Sequence, residues 1–559
     1  MRFRFKHIGA RSVVKATLAA AVVSTLLTGA AVQAQERRLV ASLNGDIRGT
    51  NPGVSRDANT DVVMHHIVEG LVGYSEDLRI VPVVASSYSV SGDGREYRFT
   101  LREGLRFHNG EPVTPSDVLW SWRRYLEPET KWLCRRWFVA DNKNDDANAD
   151  AKTSEITDIR VEGERDIVFS LSEANPLFLD RLANTQCISA ILHPSSVGPD
   201  GEWLEPVATG PFMFEEWKPG EYIDLTRFKG YRPRSGAVDG LAGNKTVYAD
   251  SARFLISPDA SSTNAALLAG QMDLIPTVPI VSIPQLENKA TVKLAQSPTL
   301  SWSILLMQTE DPVLKDVRIR KAIAHALDVE LLIKFNTEGL ASVNPSAVPV
   351  GIAEHTAAHD VWYEPSVEKA KALLKEAGYK GQVIKIQTNR KYTNMFNNAL
   401  VAQAMLQAAG IAAQIEVQDW ASQLGNYFSG KFQLSSFSYS PLSNPVLRYN
   451  KLIGAKAKRA VYQWDSEEAA DVLSEAIAEY DVGARIKKLE ELHALMREEV
   501  PIIGLYNAHN VSALGADIEG FKPWPLNLPR LWGVSKPGWR DEAPMSASGA
   551  DFGSEGGKP

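Results

Sequence analysis

The chain has two cysteines, Cys134 and Cys187, among its 559 residues. Two cysteines can form a disulfide, or one of them can act as a thiolate nucleophile in catalysis. The residues that flank them resemble no nucleophile motif. A disulfide between them would close a loop of roughly fifty residues, which is worth on the order of 3–4 kcal/mol in the chain-entropy model. The compartment in which the protein works decides between the two.

Two adjacent histidines, His65 and His66, are the next residues whose chemistry needs a decision. Neighbouring side chains on a helix point about 100° apart, so two adjacent histidines rarely bind one ion. We therefore predict no metal site and no cofactor. The sequence also contains no His-Glu-x-x-His, Gly-x-Ser-x-Gly or Walker motif. We predict that the chain is not an enzyme, with a hydrolase whose catalytic groups are scattered as the alternative.

Residues 1–34 have the composition of a cleavable signal peptide. They contain five basic residues and no acidic residue, and the apolar run at 16–27 is too short to span a bilayer. Small residues precede Gln35, where the mature chain is expected to begin. We predict a soluble periplasmic protein of a Gram-negative cell. In that oxidising compartment the two cysteines are expected to pair, with a catalytic thiol as the alternative.

Net charge argues against nucleic acid as a partner. The mature chain would carry 55 basic and 67 acidic residues, a net charge of −12. Its length of about 525 residues exceeds one ordinary domain and predicts two or three. The end of the chain, 536–559, is rich in Gly, Ser, Ala and Pro, and we predict a disordered tail there.

The stretch 97–124 predicts a strand, a turn and a capped helix. Residues 97–101 alternate between apolar and polar, which is the period of a half-buried strand. Asn109-Gly110 suits a tight turn. Thr114 is a predicted N-cap, Pro115 suits the first helical position, and Asp117 stands where a capping-box acid would. The pattern therefore indicates a well-formed βα unit.

The rest of the chain mixes both kinds of periodicity. The segments 382–388, 395–409 and 412–417 predict a strand–helix–strand unit with parallel strands. A polar stretch at 142–154 predicts a surface loop. Further predicted helices lie at 61–71, 264–272, 317–327, 366–377 and 472–500, and further strands at 38–43, 159–171, 212–217, 221–228 and 501–506. The fold class predicted from these elements is α/β with mixed sheets.

Seven blocks, in order, resemble one family. They lie at 67–71 (Ile-Val-Glu-Gly-Leu), 91–102, 208–212 (Ala-Thr-Gly-Pro-Phe, with Tyr231 beyond), 270–273, 317–328, 370–378 and 499–501. Together they resemble the family 5 extracytoplasmic solute-binding proteins, the oligopeptide, dipeptide and nickel receptors of ABC importers. The resemblance implies a two-lobed periplasmic binding protein of the large three-domain type, with a hinge between the lobes where the chain crosses near residues 300 and 508.

The resemblance also implies domain bounds and a function. The main domain of lobe 1 would comprise 35–70, 195–300 and 508–535, its accessory domain 71–194, and lobe 2 residues 301–507. Ligand binding between the lobes would favour the closed form and present a surface to a permease in the inner membrane. The expected ligand is a peptide, or an opine-, sugar- or amide-like conjugate, and the expected state is a monomer. A ligand sensor on the same scaffold is an alternative to the importer receptor.

The binding segment of peptide receptors is altered in this sequence. In those relatives an Asp late in the second lobe pairs with the α-amino group of the peptide, and the matching position here is Pro441. A buried ammonium without a counter-charge is unfavourable. We therefore expect that the ligand does not bind through that contact. Tyr439 and Ser440 next to Pro441, and Asn444 of the same segment, are expected to line the site with neutral hydrogen-bonding groups.

Other ligand-binding candidates follow from the same resemblance. Trp420 matches an aromatic residue that covers the ligand in peptide receptors. The structural alternative for Trp420 is a tryptophan of the core. Three further candidates fall on the segment of lobe 1 that touches ligand in relatives, where the alternative for the arginine is a solvated loop residue. Two more flank the first crossing between the lobes, where the alternative is buried hinge packing. These five are Arg56, Asp57 and Ala58, then Trp302 and Gln308.

Overall fold

The computed structural model describes residues 36–139 and 155–540. Its strands are β1 Arg38–Leu43, β2 Val72–Tyr74, β3 Ile80–Pro82, β4 Ala85–Val90, β5 Glu96–Leu101, β6 Ile156–Glu162, β7 Asp166–Leu171, β8 Phe212–Lys218, β9 Tyr222–Arg227, β10 Ser251–Ile256, β11 Leu274–Ile275, β12 Val292–Met307, β13 Ala341–Val343, β14 Ile384–Asn389, β15 Ala413–Gln418, β16 Leu434–Tyr439 and β17 Ile502–Gly515. The predicted signal peptide and the predicted loop at 142–154 lie outside the described residues.

The helices alternate with these strands. They are α1 Ala58–Ile67, α2 Pro115–Leu126, α3 Phe178–Ala183, α4 Ala260–Leu268, α5 Ile283–Leu286, α6 Val317–Ala326, α7 Val329–Thr337, α8 Val367–Glu376, α9 Thr393–Ala408, α10 Trp420–Ser429, α11 Pro445–Leu452, α12 Glu467–Ala478 and α13 Val482–Glu499. The fold is therefore mixed α/β, which confirms the predicted class.

One large mixed sheet contains most of the strands. Its order is β15-β14-β16-β12-β17-β11-β1-β10-β9-β8, and β13 pairs with β17. β14 is parallel to β15 and β16, whereas β12 is antiparallel to β16 and β17. The strand–helix–strand unit predicted at 382–417 is confirmed, since α9 connects the parallel strands β14 and β15.

The two longest strands, β12 and β17, run side by side through the centre of this sheet. Their register is interrupted between residues 298 and 302 of β12. Within the interruption, side chains join the two strands. Thr299 Oγ1 donates to the carbonyl of Ala508 over 2.8 Å, and Asn507 Nδ2 donates to the carbonyl of Ser301 over 2.8 Å.

A separate antiparallel sheet, β4-β5-β7-β6, contains the predicted βα unit. The inward positions of β5 are buried, as their alternation predicts: Tyr97 is 4%, Phe99 0% and Leu101 2% exposed. α2 begins at the predicted cap, where the backbone N and the Oγ1 of Thr114 donate to Asp117 Oδ2 over 2.8 and 2.7 Å. Local sequence signals therefore determine this unit.

Three predicted helices have different bounds in the structure. The helix predicted at 61–71 is α1, which begins earlier because Asp57 caps it and ends at its tenth residue. The helix predicted at 264–272 is α4, which also begins earlier, at its Asp259 cap. The stretch 472–500, predicted to be largely helical, is covered by the end of α12 and by α13, which begins at its Asp481 cap. In each case the polar cap overrides the apolar periodicity.

Buried apolar side chains form distinct clusters along the chain. The largest draws its members from residues 39–300 and 514–534. Two others draw theirs from residues 302–506, except that Leu177 joins one of them. A small fourth cluster packs α4 and α5 against β17. The domain bounds implied by the family resemblance stay a prediction.

The predicted disulfide is confirmed. Cys134 and Cys187 are bonded, with their Cα atoms 5.6 Å apart and a sequence separation of 53. Both lie in the largest core cluster, and the carbonyl of Cys187 accepts a hydrogen bond from Trp132 Nε1 at 2.7 Å. The bond therefore holds the segment that follows α3 against the segment that follows α2.

The last described residues make specific contacts. Lys536, the first residue of the predicted tail, has its Nζ 2.6 Å from Asp273 Oδ1, and its carbonyl accepts from the backbone N of Trp539. Residues 541–559 lie outside the described ranges. Within those ranges, none of the helices has the length and apolar character needed to cross a membrane.

Candidate functional site

Three predicted ligand-binding residues, Arg56, Asp57 and Ala58, lie at the start of α1. Asp57 caps the helix, because its Oδ1 accepts from the backbone N of Thr60 at 3.0 Å. Arg56 Nε lies 2.9 Å from each carboxylate oxygen of Asp61, and its Nη2 also contacts that carboxylate. Burial raises the pKa of Asp61 to about 6, against the opposing effect of the Arg56 charge. Arg56 is therefore held by an internal partner.

The other oxygen of Asp57 reaches across to a distant part of the chain. Its Oδ2 lies 3.1 Å from Nζ of Lys391, which follows β14. Space around that lysine is limited, since a Cβ atom placed on Gly45 would lie 2.7 Å from Lys391 Cε. The side chains of Asp57 and Lys391 are only 3% and 22% exposed. Lys391 was not predicted as a site residue, and its position after a strand was the only local signal.

Trp420 and Tyr439 belong to one patch of aromatic rings. The centroid of the Trp420 ring lies 5.6 Å from that of Phe437 and 4.9 Å from that of Tyr392. Tyr427 stacks on Phe437 at 4.8 Å, and Tyr439 lies 5.5 Å from Phe437. Trp420 Nε1 is buried and has no hydrogen-bond partner within the described ranges. Buried donors are rarely left unpaired, so the Trp420 indole remains a candidate donor to a ligand.

The segment 440–444 forms the turn between β16 and α11. The side chain of Asn444 caps α11, and the carbonyl of Pro441 accepts from Gln186 Nε2 at 3.0 Å. Ser440 and Asn444 therefore lie against the chain near α3. Asp180 of α3 is an acid that contacts this turn; burial raises its pKa to about 6, opposed by a hydrogen bond from Asn444.

Two cations of α11 were not predicted as site residues. Arg448 is 2% exposed, and its Nη2 donates to the carbonyls of Leu300 and Ser440, each over 3.2 Å. Lys451 Nζ donates to Gln186 Oε1 over 2.8 Å. Asn444-Pro445, an N-cap followed by proline at the first helical position, was the signal that could have found this helix. It would have placed Arg448 and Lys451 three residues apart on one face.

These two cations lack acidic partners. Neither forms a salt bridge with an Asp or Glu in the part of the chain that the structure describes. Burial lowers the pKa of Arg448 to about 10. Burial, and then the positive charges of Arg56, Arg448 and Arg136, lower the pKa of Lys451 well below its ordinary value. The region therefore favours an added negative charge.

The two candidates near the first crossing lie differently from each other. Trp302 is 1% exposed and its Nε1 donates to the carbonyl of Asn344 over 3.0 Å, but its ring centroid lies 6.3 Å from that of Tyr439. Gln308 instead donates to the carbonyl of Gly430 and accepts from Lys456. It lines a separate surface depression of about 580 Å³. Trp302 therefore lies beneath Tyr439, whereas Gln308 lies apart from the other candidates.

The adjacent histidines bind backbone groups. His65 Nε2 donates to the carbonyl of Thr185 over 2.9 Å, and His66 Nδ1 donates to the carbonyl of Val62 over 2.7 Å. Burial lowers the pKa of His65 to about 4 and that of His66 to about 3. Among the described residues, no group of three or more His, Cys, Asp or Glu is arranged to hold a metal ion.

Comparison with known proteins gives a family and a shared fold. The family model described as bacterial extracellular solute-binding proteins, family 5 Middle, matches residues 79–458. The dipeptide-binding protein of Escherichia coli K12 is 24% identical over 533 residues, which cover 90% of this chain and 96% of that protein.

Two solved structures share the fold. The periplasmic binding protein AgaA of A. tumefaciens R10, in complex with agropinic acid, has a TM-score of 0.76 and 24% identity and covers 89% of this chain and 98% of that chain. The ABC transporter-associated periplasmic binding protein DppA of Helicobacter pylori, in complex with the peptide STSA, has a TM-score of 0.76 and 25% identity, and the match covers 90% of this chain and 98% of that one.

Proposed function

Because this chain belongs to the bacterial extracellular solute-binding proteins of family 5, we propose that it is the periplasmic substrate-binding protein of an ABC importer for peptides or similar solutes. The family consists of solute-binding proteins, not of enzymes. Similar proteins bind a dipeptide, the peptide STSA and agropinic acid. The partners of this chain would then be one small solute and a permease in the inner membrane.

The solute is captured between two lobes that close on it. Lobe 1 comprises residues 35–300 and 508–535, with 71–194 as its accessory domain, and lobe 2 comprises residues 301–507. The interrupted register between β12 and β17 at residues 298–302 supports a hinge there. The separate core clusters on either side of residue 300 support the same division.

Contacts between the proposed lobes identify the cleft. Asp57 of lobe 1 pairs with Lys391 of lobe 2, and Gln186 of lobe 1 bonds to Pro441 and Lys451 of lobe 2. The predicted residues Arg56, Asp57, Ala58, Trp420, Tyr439, Ser440 and Asn444 lie at or beside these contacts. The region between these residues is the proposed cleft.

The observation that carries the proposed binding mode is the turn at Pro441. No carboxylate occupies this position, and the carbonyl of Pro441 is already bonded to Gln186 Nε2. Proline offers neither a side-chain acceptor nor a backbone donor. The solute is therefore not held by an α-amino group paired with a carboxylate at position 441.

Calorimetric titration with two matched peptide series tests this mode. One series has free amino ends, from dipeptides to pentapeptides, and the other is N-acetylated. We expect acetylation to leave the affinity within about threefold. Tight, sequence-tolerant binding of free peptides that acetylation abolishes would contradict the proposal. If Asp180→Asn then lost that binding, Asp180 would be the acid that replaces the one absent at position 441. Solute uptake that depends on both this protein and a permease tests the importer assignment and excludes a sensor.

A further inference from the structure

Positive and negative charges do not balance in the cleft. Arg56 is paired with Asp61, and Lys391 is paired with Asp57. Arg448 and Lys451 remain without a salt bridge to any acid in residues 36–139 and 155–540. The whole chain has a net charge of −7, so this excess of positive charge is local. A local positive charge in a chain of negative net charge indicates that the site recognises a negatively charged ligand.

Unpaired hydrogen-bond donors lie in the same region. The Nε atom of Arg448, the Nε1 atom of Trp420 and the Nε1 atom of Trp137 are buried without a partner among the described residues. The ring of Trp137 lies 5.5 Å from Lys451 Nζ. The guanidinium of Arg448 lies 5.9 Å from the ring of Tyr439, in the same aromatic patch as Trp420. Arginine Nε and indole Nε1 can donate but not accept. A buried donor without a partner is unfavourable, and an acceptor on a ligand would satisfy it.

The acids on the neighbouring elements are already engaged. The charge of Asp61, on α1, favours the protonated form of Lys451. Both carboxylate oxygens of Asp61 accept hydrogen bonds from Arg56. Asp180 on α3 is hydrogen-bonded by Asn444 at the other end of the turn. Arg136, next to Trp137, adds a further positive charge that disfavours protonated Lys451. Among the described residues, neither Asp61 nor Asp180 forms a salt bridge with Arg448 or Lys451 of α11.

We propose that the ligand is an organic anion, and that one of its oxyanion groups, a carboxylate or a phosphate, binds Lys451 and the Nε edge of Arg448. The indoles of Trp137 and Trp420 donate to further oxygens of the same ligand. The two carbonyls bonded to Arg448 Nη2 hold the guanidinium in place and leave its Nε edge to the ligand. This inference rests on the proposed function, because it places a solute in the cleft.

Three probes of similar size separate the possible outcomes. N-acetyl-aspartyl-glutamate carries three carboxylates and no ammonium, its triamide is neutral, and N-acetyl-phosphoserine amide carries a phosphate. Calorimetric titration and thermal unfolding of the mature protein should show tighter binding of the tricarboxylate than of the triamide, by about tenfold or more. Tighter binding of the phosphate probe than of the tricarboxylate would assign the oxyanion as a phosphate. A triamide that binds as well as the tricarboxylate would overturn the proposal.

A matched pair of variants locates the anion. Lys451→Gln should weaken binding of the acidic probe about tenfold, whereas Lys487→Gln, at an exposed position of α13, should leave it unchanged. Circular dichroism and the melting temperature show whether each variant is folded. An acidic probe that binds Lys451→Gln as it binds the wild type overturns the site. If the wild type binds none of the three probes but binds free peptides, the proposed anion site is refuted and the receptor function stands. If it binds neither the probes, nor free peptides, nor any solute in a periplasmic extract of its own cells, the receptor function is refuted as well.

Discussion

Asp57 and Lys391 are separated by 334 positions in the sequence, yet their charged atoms lie 3.1 Å apart. One oxygen of Asp57 caps α1, and the other forms this ion pair. The start of a helix in proposed lobe 1 and the end of a strand in proposed lobe 2 are thereby joined by one side chain. In the proposed two-lobe arrangement the pair would form only on closure, so we expect it to contribute to closure and not to the folding of either lobe.

Asp57→Asn separates these two roles. The amide oxygen can still cap α1, but the charge that attracts Lys391 is lost, so the closed form is destabilised relative to the open form. We expect ligand affinity to fall by about tenfold, or ~1.4 kcal/mol, with little change in melting temperature. Asp419→Asn is the matched control, because Asp419 caps α10 through Ser422 N and has no salt bridge in the described structure. Equal affinity in the two variants would refute a role for the pair in closure.

The donor of Trp420 can be removed without removing its ring. Trp420→Phe keeps the contacts with Phe437 and Tyr392 but deletes the unpaired Nε1, so affinity should fall about tenfold. Trp362→Phe provides the control, since Trp362 Nε1 is also buried without a partner in the described residues and lies in another aromatic cluster, beside His493. Calorimetry is the measurement, because fluorescence changes with every tryptophan. A loss of the same size in both variants would show that the effect is not specific to the cleft.

The Cys134–Cys187 bond should support both stability and binding. Replacing both cysteines by serine should lower the free energy of unfolding by about 3–4 kcal/mol. It should also weaken ligand binding, because Gln186, adjacent to Cys187, contacts Pro441 and Lys451. Urea unfolding and calorimetry measure the two effects. Dithiothreitol should reproduce both in the wild type and change neither in the double variant; a response of the double variant would contradict this account.

Acid should destabilise the protein through its buried histidines. Burial lowers the pKa of His493 to about 4 and that of His66 to about 3. The folded-state pKa values lie below the unfolded value of about 6.5. The unfolded state therefore binds more protons below about pH 6.5, and stability falls as pH drops from there toward the folded pKa.

His493→Gln isolates one of these groups. The glutamine amide can still donate to the carbonyl of Val361, which His493 Nε2 contacts at 3.0 Å, but it does not titrate. Between pH 7.5 and 5.0 the variant should lose about 2 kcal/mol less unfolding free energy than the wild type. Urea unfolding at the two pH values measures this. An identical loss in the variant and the wild type would show that His493 does not titrate on unfolding.

Binding of an anion should be coupled to proton uptake at Lys451. In the empty cleft, burial and the charges of Arg56, Arg448 and Arg136 hold the pKa of Lys451 well below its ordinary value, while Asp61 opposes them. A bound anion favours the charged ammonium and raises this pKa. Affinity is therefore greatest at low pH and is lost as pH rises through the pKa of the complex.

Titration of the acidic probe in two buffers with different heats of ionisation measures this proton uptake. The apparent binding enthalpy should differ between the buffers for the wild type and not for Lys451→Gln. Proton release in place of uptake would mean that Lys451 is not the responding group.

Elements with strong local signals could be predicted from the sequence. The spacing of Thr114 and Asp117 determines where α2 begins, and the switch of apolar period marks β14, α9 and β15. The candidate residues of the 440–444 turn could be found only by resemblance. Even so, the structure places Ser440 and Asn444 beside the accessory segment near Gln186, with Ser440 also bonded to Arg448.

Contacts between distant segments could not be predicted in the same way. Nothing near Lys391 indicates a partner 334 positions earlier, because an ion pair of this kind depends on the docking of two surfaces. Trp302 shows a related difficulty, since its alternation with Ser301 and Ser303 indicates a buried face but not what covers that face. Arg448 and Lys451 lie on a helix whose mixed polarity hides its buried face, and only its burial in the structure shows the charge excess.

The interruption between β12 and β17 has a consequence for the speed of the receptor. At residues 299–301 the two strands share no ladder hydrogen bonds, and side chains bridge them instead. Twisting the pair at this point leaves the backbone ladders above and below it intact. In the proposed hinge, rotation would therefore not require these ladders to break. We expect opening on the microsecond-to-millisecond scale of hinge motions. The strength of the contacts with the solute would then determine how long the solute stays bound.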